Sequence, residues 1–479
     1  MMFLKALYIG ICAVGIVFVY NAWKTALEVR KEQMEEDIIN AWDKHVVSPS
    51  VTFQHLHVGI NSNVDLIVPG VVLLKALAVP SGRSENKDIL KTVNDLEETF
   101  AHFFAKGSAA ERAFLDKKIF QRIVSTSKML EMSQYHIGGN AALMASIITE
   151  QFPEVKISFI GPVGPKLLEM LPRSLNIPTK SHISTDEVHL IMEYSVGDTW
   201  GDLTSPVANR FITSYDESNS QATMLETFFE SLDTQKTDLV LMSGLHILEG
   251  QSKDFFIRRI QAVCDGLINI PRSLPVHLEL ASMANVDFVR EILTKVISKV
   301  SSLGLNEQEL TFASLAGDGP HNSDFYHQSG PPEISKAGDM VIWLLQNYGQ
   351  SSQNPESRLT RIHFHCLSYH IIGNVKGAWT NSAAAVAAGS RMAGKQACDV
   401  QRLNSSIVDL KFPKSFKAFS DDIEREFDSN KPVISWETDE FEFSLSPVLV
   451  CNDPQKTVGL GDSISATGLM FSQYIYAQK

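Results

Sequence analysis

The stretch TVGLGDSISATGL at 457–469 follows the strand-like run SLSPVLVC at 444–451 after a short polar loop. It combines three glycines, one aspartate and a row of small hydroxyl residues. Glycine permits positive φ angles and close backbone approach, and a helix that starts here would offer its N–H groups to an anion. The stretch therefore predicts a phosphate-binding site.

The composition is that of an ordinary globular protein. The 479 residues are 44% hydrophobic and 20% charged, which is enough for a large core and a second domain. The 42 Lys and Arg residues against 55 Asp and Glu residues give a net charge of -13. We therefore expect no nucleic acid partner, because duplex binding needs a basic face. The sequence shows no coiled-coil heptad, and we expect a monomer.

The amino terminus is a separate segment. An apolar run of about 18 residues lies between Lys5 and Lys24, at the border between a signal-peptide core and a membrane span. We assign residues 1–24 to a signal peptide or membrane anchor and residues 25–55 to a linker and first helix. Membrane association through this segment is expected, at the endoplasmic reticulum or in the secretory pathway. The excess of basic residues after the run favours a cytosolic body if the segment is not cleaved, and the lumenal alternative stays open.

The cysteines form no metal-binding or disulfide framework in the sequence. Beyond the leader no C-x-x-C pair occurs, and we expect buried thiols at most of the four positions Cys264, Cys366, Cys398 and Cys451. In an oxidising lumen one disulfide would be allowed, and the sequon at 404–406 would be a glycosylation site.

Short apolar runs alternate with helical stretches beyond residue 55. Such alternation predicts an α/β fold in which helices cover both faces of a parallel sheet, with ligands at the carboxyl ends of the strands. The predicted strands lie at 56–68, 155–164, 238–248, 275–282, 310–317, 361–372 and 442–451.

Two segments interrupt this alternation. Residues 79–114 have a charged helical pattern, whereas residues 181–217 alternate polar and apolar residues as in an antiparallel sheet. We expect these two segments to form a small β-rich lid domain that closes over a site and excludes water. The large three-layer α/β domain is then assigned to residues 56–78, 115–180 and 218–479.

Two polar pairs are candidates for the chemistry. His277 and Glu279 share one face of a strand, because side chains alternate along a strand. A hydrogen-bonded structural pair is the more frequent reason for such a pattern. Asn306 and Glu309 are neighbours on a helical face, where capping is the common role. Together the four side chains supply the oxygen ligands and water acceptors that Mg²⁺ prefers.

A near match to the Walker A phosphate loop is rejected. Residues 389–396 read GSRMAGKQ, but Gln396 replaces the required Ser or Thr and the stretch continues a helical pattern. We therefore interpret Lys395 as a solvated helix residue. A second set of residues has the chemistry but not the spacing of a helical zinc motif, and we expect it to be structural or close to the nucleotide: His363, His365 and His370.

H-x-E at 277–279, N-x-x-E at 306–309 and G-x-G-D at 459–462 occur in an order that resembles the ADP-dependent sugar kinase family of the ribokinase-like superfamily. The resemblance covers most of residues 56–470, because it extends to NSNVDLIV (61–68), HIGGNAALMA (136–145) and ANRFI (208–212). It implies a ribokinase-like α/β/α large domain with a smaller lid. It also implies ADP as phosphoryl donor, a sugar as acceptor, Mg²⁺ as cofactor and a place in glycolysis.

The resemblance implies roles for the residues that would handle phosphate. Asp462 would accept the proton of the sugar hydroxyl. The amides around Gly459, Gly461 and Asp462 would form an anion hole at a helix start, and Arg210 would reach from the lid to the donor phosphate. The plain alternatives are a helix N-cap for Asp462 and a solvated edge-strand charge for Arg210.

The metal would be held by the two polar pairs. The resemblance implies that Glu279 and Glu309 bind Mg²⁺ through water, with His277 and Asn306 orienting that shell. Phosphoryl transfer needs positioning and charge neutralisation more than covalent chemistry, so this set of groups is sufficient for it.

The resemblance also implies sugar-binding residues. Asp65 and the Gly139-Asn140 pair would bind sugar hydroxyls, with an Asx-turn and a helix cap as the plain alternatives. A further carboxylate lies in NDLEETF, where spacing does not separate Glu97 from Glu98, and Glu98 is favoured.

The acceptor is expected to be glucose. Related enzymes use glucose or fructose 6-phosphate, and a second phosphate would call for basic residues, which segments 61–68 and 136–145 lack. Two other hypotheses are a catalytically silent, membrane-tethered sugar-binding or sensing protein and an ATP-using relative of ribokinase. Loss of Asp462 or of a metal carboxylate would favour the sensor, whereas both are present here.

Overall fold

The computed structural model describes residues 31–326, 330–456 and 458–476, and the chain divides into two compact units. The terminal unit holds the described parts of Met1–Thr52, His327–Ile342 and His363–Ile475. The central unit holds the described parts of Phe53–Tyr326, Trp343–Ile362 and Tyr476–Lys479. The predicted signal peptide or anchor at 1–24 lies outside the described residues. Within the described ranges, no helix is both long and apolar enough to cross a membrane.

Five parallel strands run side by side in the central unit. Most of their side chains are buried and apolar, which is typical of strands covered on both faces. Across the sheet the order is Ser302–Asn306, Val276–Glu279, Leu239–Ser243, His55–Ile60 and Lys156–Ile160. The parallel sheet predicted from the alternating pattern is therefore confirmed for these five strands. It is wrong for the predicted strands at 361–372 and 442–451, because Tyr369–Val375 pairs antiparallel with Phe441–Pro447.

A second sheet in the central unit has mixed pairing. Val188–Tyr194 pairs antiparallel with Asn209–Ser214, which confirms the antiparallel prediction for residues 181–217. The order across this sheet is Ile89–Leu90, Ala110–Phe114, Asn209–Ser214, Val188–Tyr194, Asn63–Pro69 and Gln134–Gly138. A two-stranded ribbon joins Thr199–Trp200 to Leu203–Thr204. The boundaries of a lid domain at 79–114 and 181–217 stay a prediction.

The helices of the central unit begin at local capping signals. Thr92 and Asp95 form a capping box, and the helix that follows ends at Gly107, which has a φ of 62°. The segment 79–114 is thus helical only in its middle. The α-helices are Gly70–Ala76, Val93–Lys106, Lys117–Lys128, Asn140–Gln151, Pro165–Met170, Leu225–Glu230, Lys253–Ile268, Val286–Glu291 and Glu307–Ala316. Shorter 3₁₀ turns lie at Thr179–Ser181, Asn219–Gln221, Leu245–Gly250, Ile297–Lys299 and Asn322–Tyr326, with a π-turn at Ile292–Val296.

The prediction of a strand at 310–317 is wrong. These residues lie in the helix Glu307–Ala316, which begins at a capping box formed by Asn306 and Glu309. A short apolar run that is buried all round does not distinguish a strand from a helix by periodicity, and here the cap decides for the helix.

The terminal unit contains an antiparallel sheet. Tyr369–Val375 and Ile434–Glu437 both pair with Phe441–Pro447. Smaller ribbons join Val408–Leu410 to Leu449–Cys451, Trp379–Thr380 to Gln473–Tyr474, and Ser415–Phe416 to Arg425–Glu426. The strand Arg361–His365 and the helix Ile334–Tyr348 each contain a boundary between the two units.

Three helices shape the core of the terminal unit. They span residues 31–45, Ser382–Ala397 and Leu460–Met470, with a 3₁₀ turn at Ser405–Ile407. The second of them confirms that residues 389–396 are helical and form no Walker A loop, although Lys395 is half-buried and not fully solvated.

One disulfide links this helix to a strand of the terminal unit. Cys398, which follows the helix Ser382–Ala397, is bonded to Cys451 at the end of Leu449–Cys451. Cys264 and Cys366 are buried free thiols, as expected. The disulfide therefore holds the strand end that precedes the glycine-rich stretch against the helix end.

Candidate active site

Two candidate metal ligands lie at the carboxyl ends of neighbouring parallel strands. Glu279 is the last residue of Val276–Glu279 and is in register with Gly304 on the adjacent strand. That adjacent strand, Ser302–Asn306, leads directly into the helix that carries Glu309. Sequence reasoning expected ligands at this edge of the sheet, and the structure brings the two motifs together there.

His277 and Glu279 form a hydrogen-bonded pair. Nε2 of His277 lies 3.0 Å from Oε2 of Glu279, and both side chains are buried. The hydrogen bond that the structural interpretation predicted is therefore present. The carboxylate also depends on the absence of a side chain opposite it, because a β-carbon on Gly304 would lie 1.8 Å from Oε2 of Glu279.

Asn306 and Glu309 form a capping box. Oδ1 of Asn306 accepts hydrogen bonds from the amides of Gln308 and Glu309, at 2.9 and 3.1 Å. In return the amide and side chain of Asn306 donate to the two carboxylate oxygens of Glu309, at 2.8 and 2.9 Å. The capping interpretation is thus confirmed, and it fixes the Glu309 carboxylate in one orientation.

The donor set fits Mg²⁺ held through water. Glu279 and Glu309 are hard oxygen ligands fixed by hydrogen bonds, and Mg²⁺ usually rests on one or two carboxylates and keeps several waters. Among the described residues, no group of three or more His, Cys, Asp or Glu side chains could enclose a metal directly. The two oriented carboxylates are what suits an ion held through water.

Asp65 lies in the middle of a strand and not in an Asx-turn. It belongs to Asn63–Pro69, and Nδ2 of Asn63 donates to its Oδ1 at 2.7 Å. Burial raises the pKa of Asp65 to about 6, although His189, Asn63 and Arg210 oppose the rise by favouring the charged form. A carboxylate held in this way is suited to accept hydrogen bonds from sugar hydroxyls.

His189 was not singled out from the sequence. It is in register with Asp65 on the neighbouring strand, and its Nε2 lies 2.9 Å from Oδ2 of Asp216. Burial opposes its charge, but the attraction of Asp216 raises the pKa of His189 to about 10. A charged histidine is therefore the register partner of the candidate sugar carboxylate on the neighbouring strand. Only the tertiary pairing of these strands reveals it.

The Gly139-Asn140 pair begins the helix Asn140–Gln151. Gly139 is the N-cap with a φ of 83°, so Asn140 is not the cap residue. A β-carbon at position 139 would lie 2.6 Å from Cα of Ser62, which requires glycine here. Asn61, a residue not predicted, accepts a hydrogen bond from the amide of Ala141 at 3.0 Å and so anchors the helix start.

The structure separates the two adjacent glutamates. Glu97 is buried and accepts hydrogen bonds from the Gly82 amide at 3.0 Å and from Nε1 of Trp200 at 2.8 Å. Glu98 is half-buried and pairs with Lys87 at 3.1 Å. Glu97 thus holds a loop and the tryptophan ring in place, and Glu98 stays the predicted sugar ligand.

Arg210 does not lie at a sheet edge. Its strand, Asn209–Ser214, runs between Ala110–Phe114 and Val188–Tyr194, so the plain edge-strand explanation does not apply. The side chain is half-buried and lowers the pKa of Asp65 through its positive charge. It therefore contributes positive potential to the part of the central unit that holds Asp65.

Asp462 is the third residue of its helix and not the N-cap. The cap is Gly459, with a φ of 66°, and the helix is Leu460–Met470. The amides of residues 460–462 precede the first hydrogen bond within the helix, from Ser463 N to Gly459 O. Residues 459–462 therefore form a helix start built on glycine, which is suited to bind an anion.

Gln396 holds this helix start in place. Its Nε2 donates to the carbonyl of Val458 at 3.0 Å, and its Oε1 accepts a hydrogen bond from the hydroxyl of Ser463. Gln396 is the residue that excluded a Walker A loop, and its contacts give it a structural use in the terminal unit instead.

The three histidines form a buried cluster in the terminal unit. The ring centroids of His363, His365 and His370 lie 5.8 to 6.1 Å apart. His365 packs behind the anion-hole candidate, since a β-carbon on Gly461 would lie 3.0 Å from its Cε1. The cluster supports the glycine turn by packing.

Comparison with known proteins identifies a family that matches most of the chain. The model described as ADP-specific phosphofructokinase/glucokinase conserved region matches residues 54–471. The ADP-dependent glucokinase of Bos taurus is 43% identical over 436 residues, which cover 90% of this chain and 87% of that protein. The probable ADP-dependent glucokinase of Caenorhabditis elegans is 37% identical over 479 residues, covering 98% and 95% of the two chains.

Solved structures show the same fold. A hypothetical ADP-dependent phosphofructokinase from Pyrococcus horikoshii OT3 has a TM-score of 0.64 at 16% identity, covering 89% of this chain and 98% of that one. An ADP-dependent kinase in complex with fructose-6-phosphate and ADPβS has a TM-score of 0.60 at 17% identity, covering 93% and 97%. The α/β fold that the resemblance implied is therefore confirmed.

The space opposite Glu279 yields a stability prediction. Gly304→Ala should displace the Glu279 carboxylate from His277, because the new β-carbon overlaps Oε2. Leaving these buried groups poorly paired should lower the free energy of unfolding by about 1–3 kcal/mol. Denaturant unfolding would measure the change.

The matched control for this variant is Gly250→Ala, since a β-carbon there meets no atom within 4 Å. It should leave the unfolding midpoint almost unchanged. Equal midpoints for the two variants would show that Glu279 does not need the space at position 304.

Proposed function

The chain belongs to the ADP-specific phosphofructokinase/glucokinase family, and we propose that it is an ADP-dependent glucokinase. It would transfer the β-phosphoryl group of ADP to the 6-hydroxyl of D-glucose, giving glucose 6-phosphate and AMP. This reaction would supply glycolysis. The observation that carries the proposal is the 43% identity to the bovine ADP-dependent glucokinase over 90% of this chain.

The choice of glucose has support in the candidate sugar segments. Residues 61–68 and 136–145 contain no Lys or Arg that could bind the phosphate of a sugar phosphate. They do supply Asp65 and Asn140, whose carboxylate and amide suit neutral hydroxyl groups. Fructose 6-phosphate is the acceptor that this reasoning disfavours, although the family includes phosphofructokinases.

The resemblance to the family gives these residues their proposed roles. In the central unit, Asp65 and Asn140 would orient the sugar, and Arg210 would neutralise charge on the donor phosphate. In the terminal unit, Asp462 would take the proton from the attacking hydroxyl, and the amides at the start of its helix would bind the transferred phosphoryl oxygens. Phosphoryl transfer is served mainly by such positioning and charge neutralisation.

Glu279 and Glu309 would hold Mg²⁺ through water in the central unit. The ion would neutralise charge on the phosphate oxygens of ADP. The two carboxylates are each held by hydrogen bonds, from His277 and from Asn306 respectively, so their oxygens are already oriented.

The base is tested by Asp462→Asn in a protein lacking residues 1–24. Wild type should form glucose 6-phosphate rapidly with ADP, glucose and Mg²⁺, and much more slowly with ATP or with fructose 6-phosphate. Removing the base should lower kcat by about 10²- to 10⁴-fold. Coupled assay of glucose 6-phosphate would measure it, with Asp453→Asn as the control, since Asp453 is exposed in the preceding loop.

Calorimetric titration with glucose would accompany the assay. If wild type binds glucose but turns over neither ADP nor ATP, the kinase proposal is wrong and the membrane-tethered sugar-sensing hypothesis takes its place. Turnover unaffected by Asp462→Asn would assign the base to another group.

The raised pKa of Asp65 predicts a pH dependence of sugar binding. An acid whose pKa is raised to about 6 is protonated below that pH and then loses its acceptor for sugar hydroxyls. The dissociation constant for glucose should therefore rise about tenfold when the pH falls from 7 to 5, as for a single titrating group. Calorimetry in the absence of ADP would measure it.

Asp65→Asn provides the comparison for this titration. It should bind glucose weakly with little pH dependence over the same range. A wild-type loss of binding that begins only near pH 4 would show that burial does not shift this carboxyl.

We place the protein at the endoplasmic reticulum, with its body on the lumenal side. The disulfide between Cys398 and Cys451 supports the lumen, because the cytosol keeps thiols reduced. Asn404 is exposed at a 3₁₀ turn of the same unit, where a glycan would meet no core packing. The excess of basic residues after the apolar run is the opposing argument, for the cytosolic side.

Glycosylation of Asn404 distinguishes the two sides. Full-length protein expressed in eukaryotic cells should lose mass on endoglycosidase treatment, and Asn404→Gln should abolish that change. Asn430→Gln, which alters an exposed asparagine outside any sequon, should retain it. An unmodified Asn404 together with labelled Cys398 and Cys451 thiols would place the body in the cytosol.

A further inference from the structure

Four polar side chains form a continuous hydrogen-bonded chain inside the central unit. Nη1 of Arg361 donates to Oγ of Ser302 at 2.9 Å. The same Oγ lies 2.9 Å from Nδ1 of His277, whose Nε2 lies 3.0 Å from Oε2 of Glu279. Arg361, Ser302 and His277 are completely buried, and Glu279 is 4% exposed. The motif analysis had included the last two members and had not found the first two.

The donor and acceptor capacities of these groups give the chain one direction. A guanidinium group only donates, so Ser302 must accept from Arg361. An ionised carboxylate only accepts, so Nε2 of His277 must carry the proton that faces Glu279. In a neutral ring Nδ1 is then an acceptor, and it takes the hydroxyl proton of Ser302. Every hydrogen bond therefore points from Arg361 towards Glu279.

A buried arginine in this position is costly unless it is compensated. Burial lowers the pKa of Arg361 to about 9, and the negative charge of Glu279 opposes that change. The guanidinium and the carboxylate therefore stabilise each other across the two side chains between them. If His277 and Ser302 served only to fill the core, a buried arginine bonded to Ser302 would be an unnecessary cost.

We propose that Arg361 and Ser302 are positioning residues that fix the tautomer of His277 and thereby hold the Glu279 carboxylate in the orientation that binds the metal. The metal part of this inference rests on the proposed function. Outer groups that orient a ligand through hydrogen bonds commonly change metal affinity by about 10- to 100-fold when they are removed.

The test compares two adjacent buried serines. Ser302→Ala removes the link to His277, whereas Ser301→Ala removes a hydroxyl that accepts a hydrogen bond from the Val276 amide at 3.2 Å. Binding of Mn²⁺, measured by electron paramagnetic resonance in the presence of ADP, should weaken about 10- to 100-fold in Ser302→Ala alone. Glucose affinity should be the same in both variants.

The test also compares two buried arginines. Arg361→Met removes the charge behind Ser302. Arg358→Met removes a guanidinium that donates to the carbonyls of Ile270 and Leu274 instead, at 2.8 Å each. Both variants lose a buried cation, so both should be less stable in thermal melts, but only Arg361→Met should weaken Mn²⁺ binding. If Arg361→Met does not fold, the serine pair still decides.

Nitrogen NMR of His277 tests the relay without a metal. Wild type should show a neutral ring protonated at Nε2, and Ser302→Ala should shift it towards mixed tautomers. A wild-type ring protonated at Nδ1 or at both nitrogens would overturn the proposal, as would equal Mn²⁺ affinities in the two serine variants.

Failure of the metal assignment gives a different result. In that case Glu279→Gln would leave Mn²⁺ affinity unchanged, while the NMR tautomer of His277 would still report whether Arg361 and Ser302 orient the pair. The two failures can therefore be told apart.

Discussion

The parallel pairing of Val276–Glu279 with Ser302–Asn306 is the constraint on which the candidate metal site depends. It places Glu279 opposite Gly304, the residue without a β-carbon, and puts the capping box at 306–309 at the same end of the sheet. Any residue with a β-carbon at position 304 would leave the buried carboxylate without space. The H-x-E and N-x-x-E motifs thus mark the ends of two adjacent strands.

Buried charges in the central unit are arranged in compensated sets. Asp216 stabilises a charged His189 beside Asp65, and Glu97 accepts hydrogen bonds from a backbone amide and an indole. Because an uncompensated buried charge is expensive, each such set restricts which side chains can change alone. At Asp65 burial outweighs the partners, so the pKa of this carboxyl remains raised. A group that the fold leaves under-compensated is well placed to gain hydrogen bonds from a ligand.

Much of the fold and part of the site could be predicted from the sequence, because both depend on local patterns. Strand periodicity located the sheet around Val276–Glu279, and the glycines located the helix start before Asp462. Residues 310–317 were mistaken for a strand because a fully buried run has no periodicity to read. Ser302 and Arg361 could not be found in this way, since they are far apart in the sequence and only strand pairing brings them together.

The structural and catalytic readings of a residue need not compete. Glu309 closes a capping box, and sequence reasoning treated that role as the alternative to metal binding. Yet the two hydrogen bonds that Asn306 donates to Glu309, one of them part of the capping box, restrict the rotation of the carboxylate before any ion arrives. A ligand that is already oriented loses less entropy on binding, so the cap contributes to metal affinity through pre-organisation. By the same reasoning, the buried pair of His277 and Glu279 is structural in its contacts and functional in what those contacts hold ready.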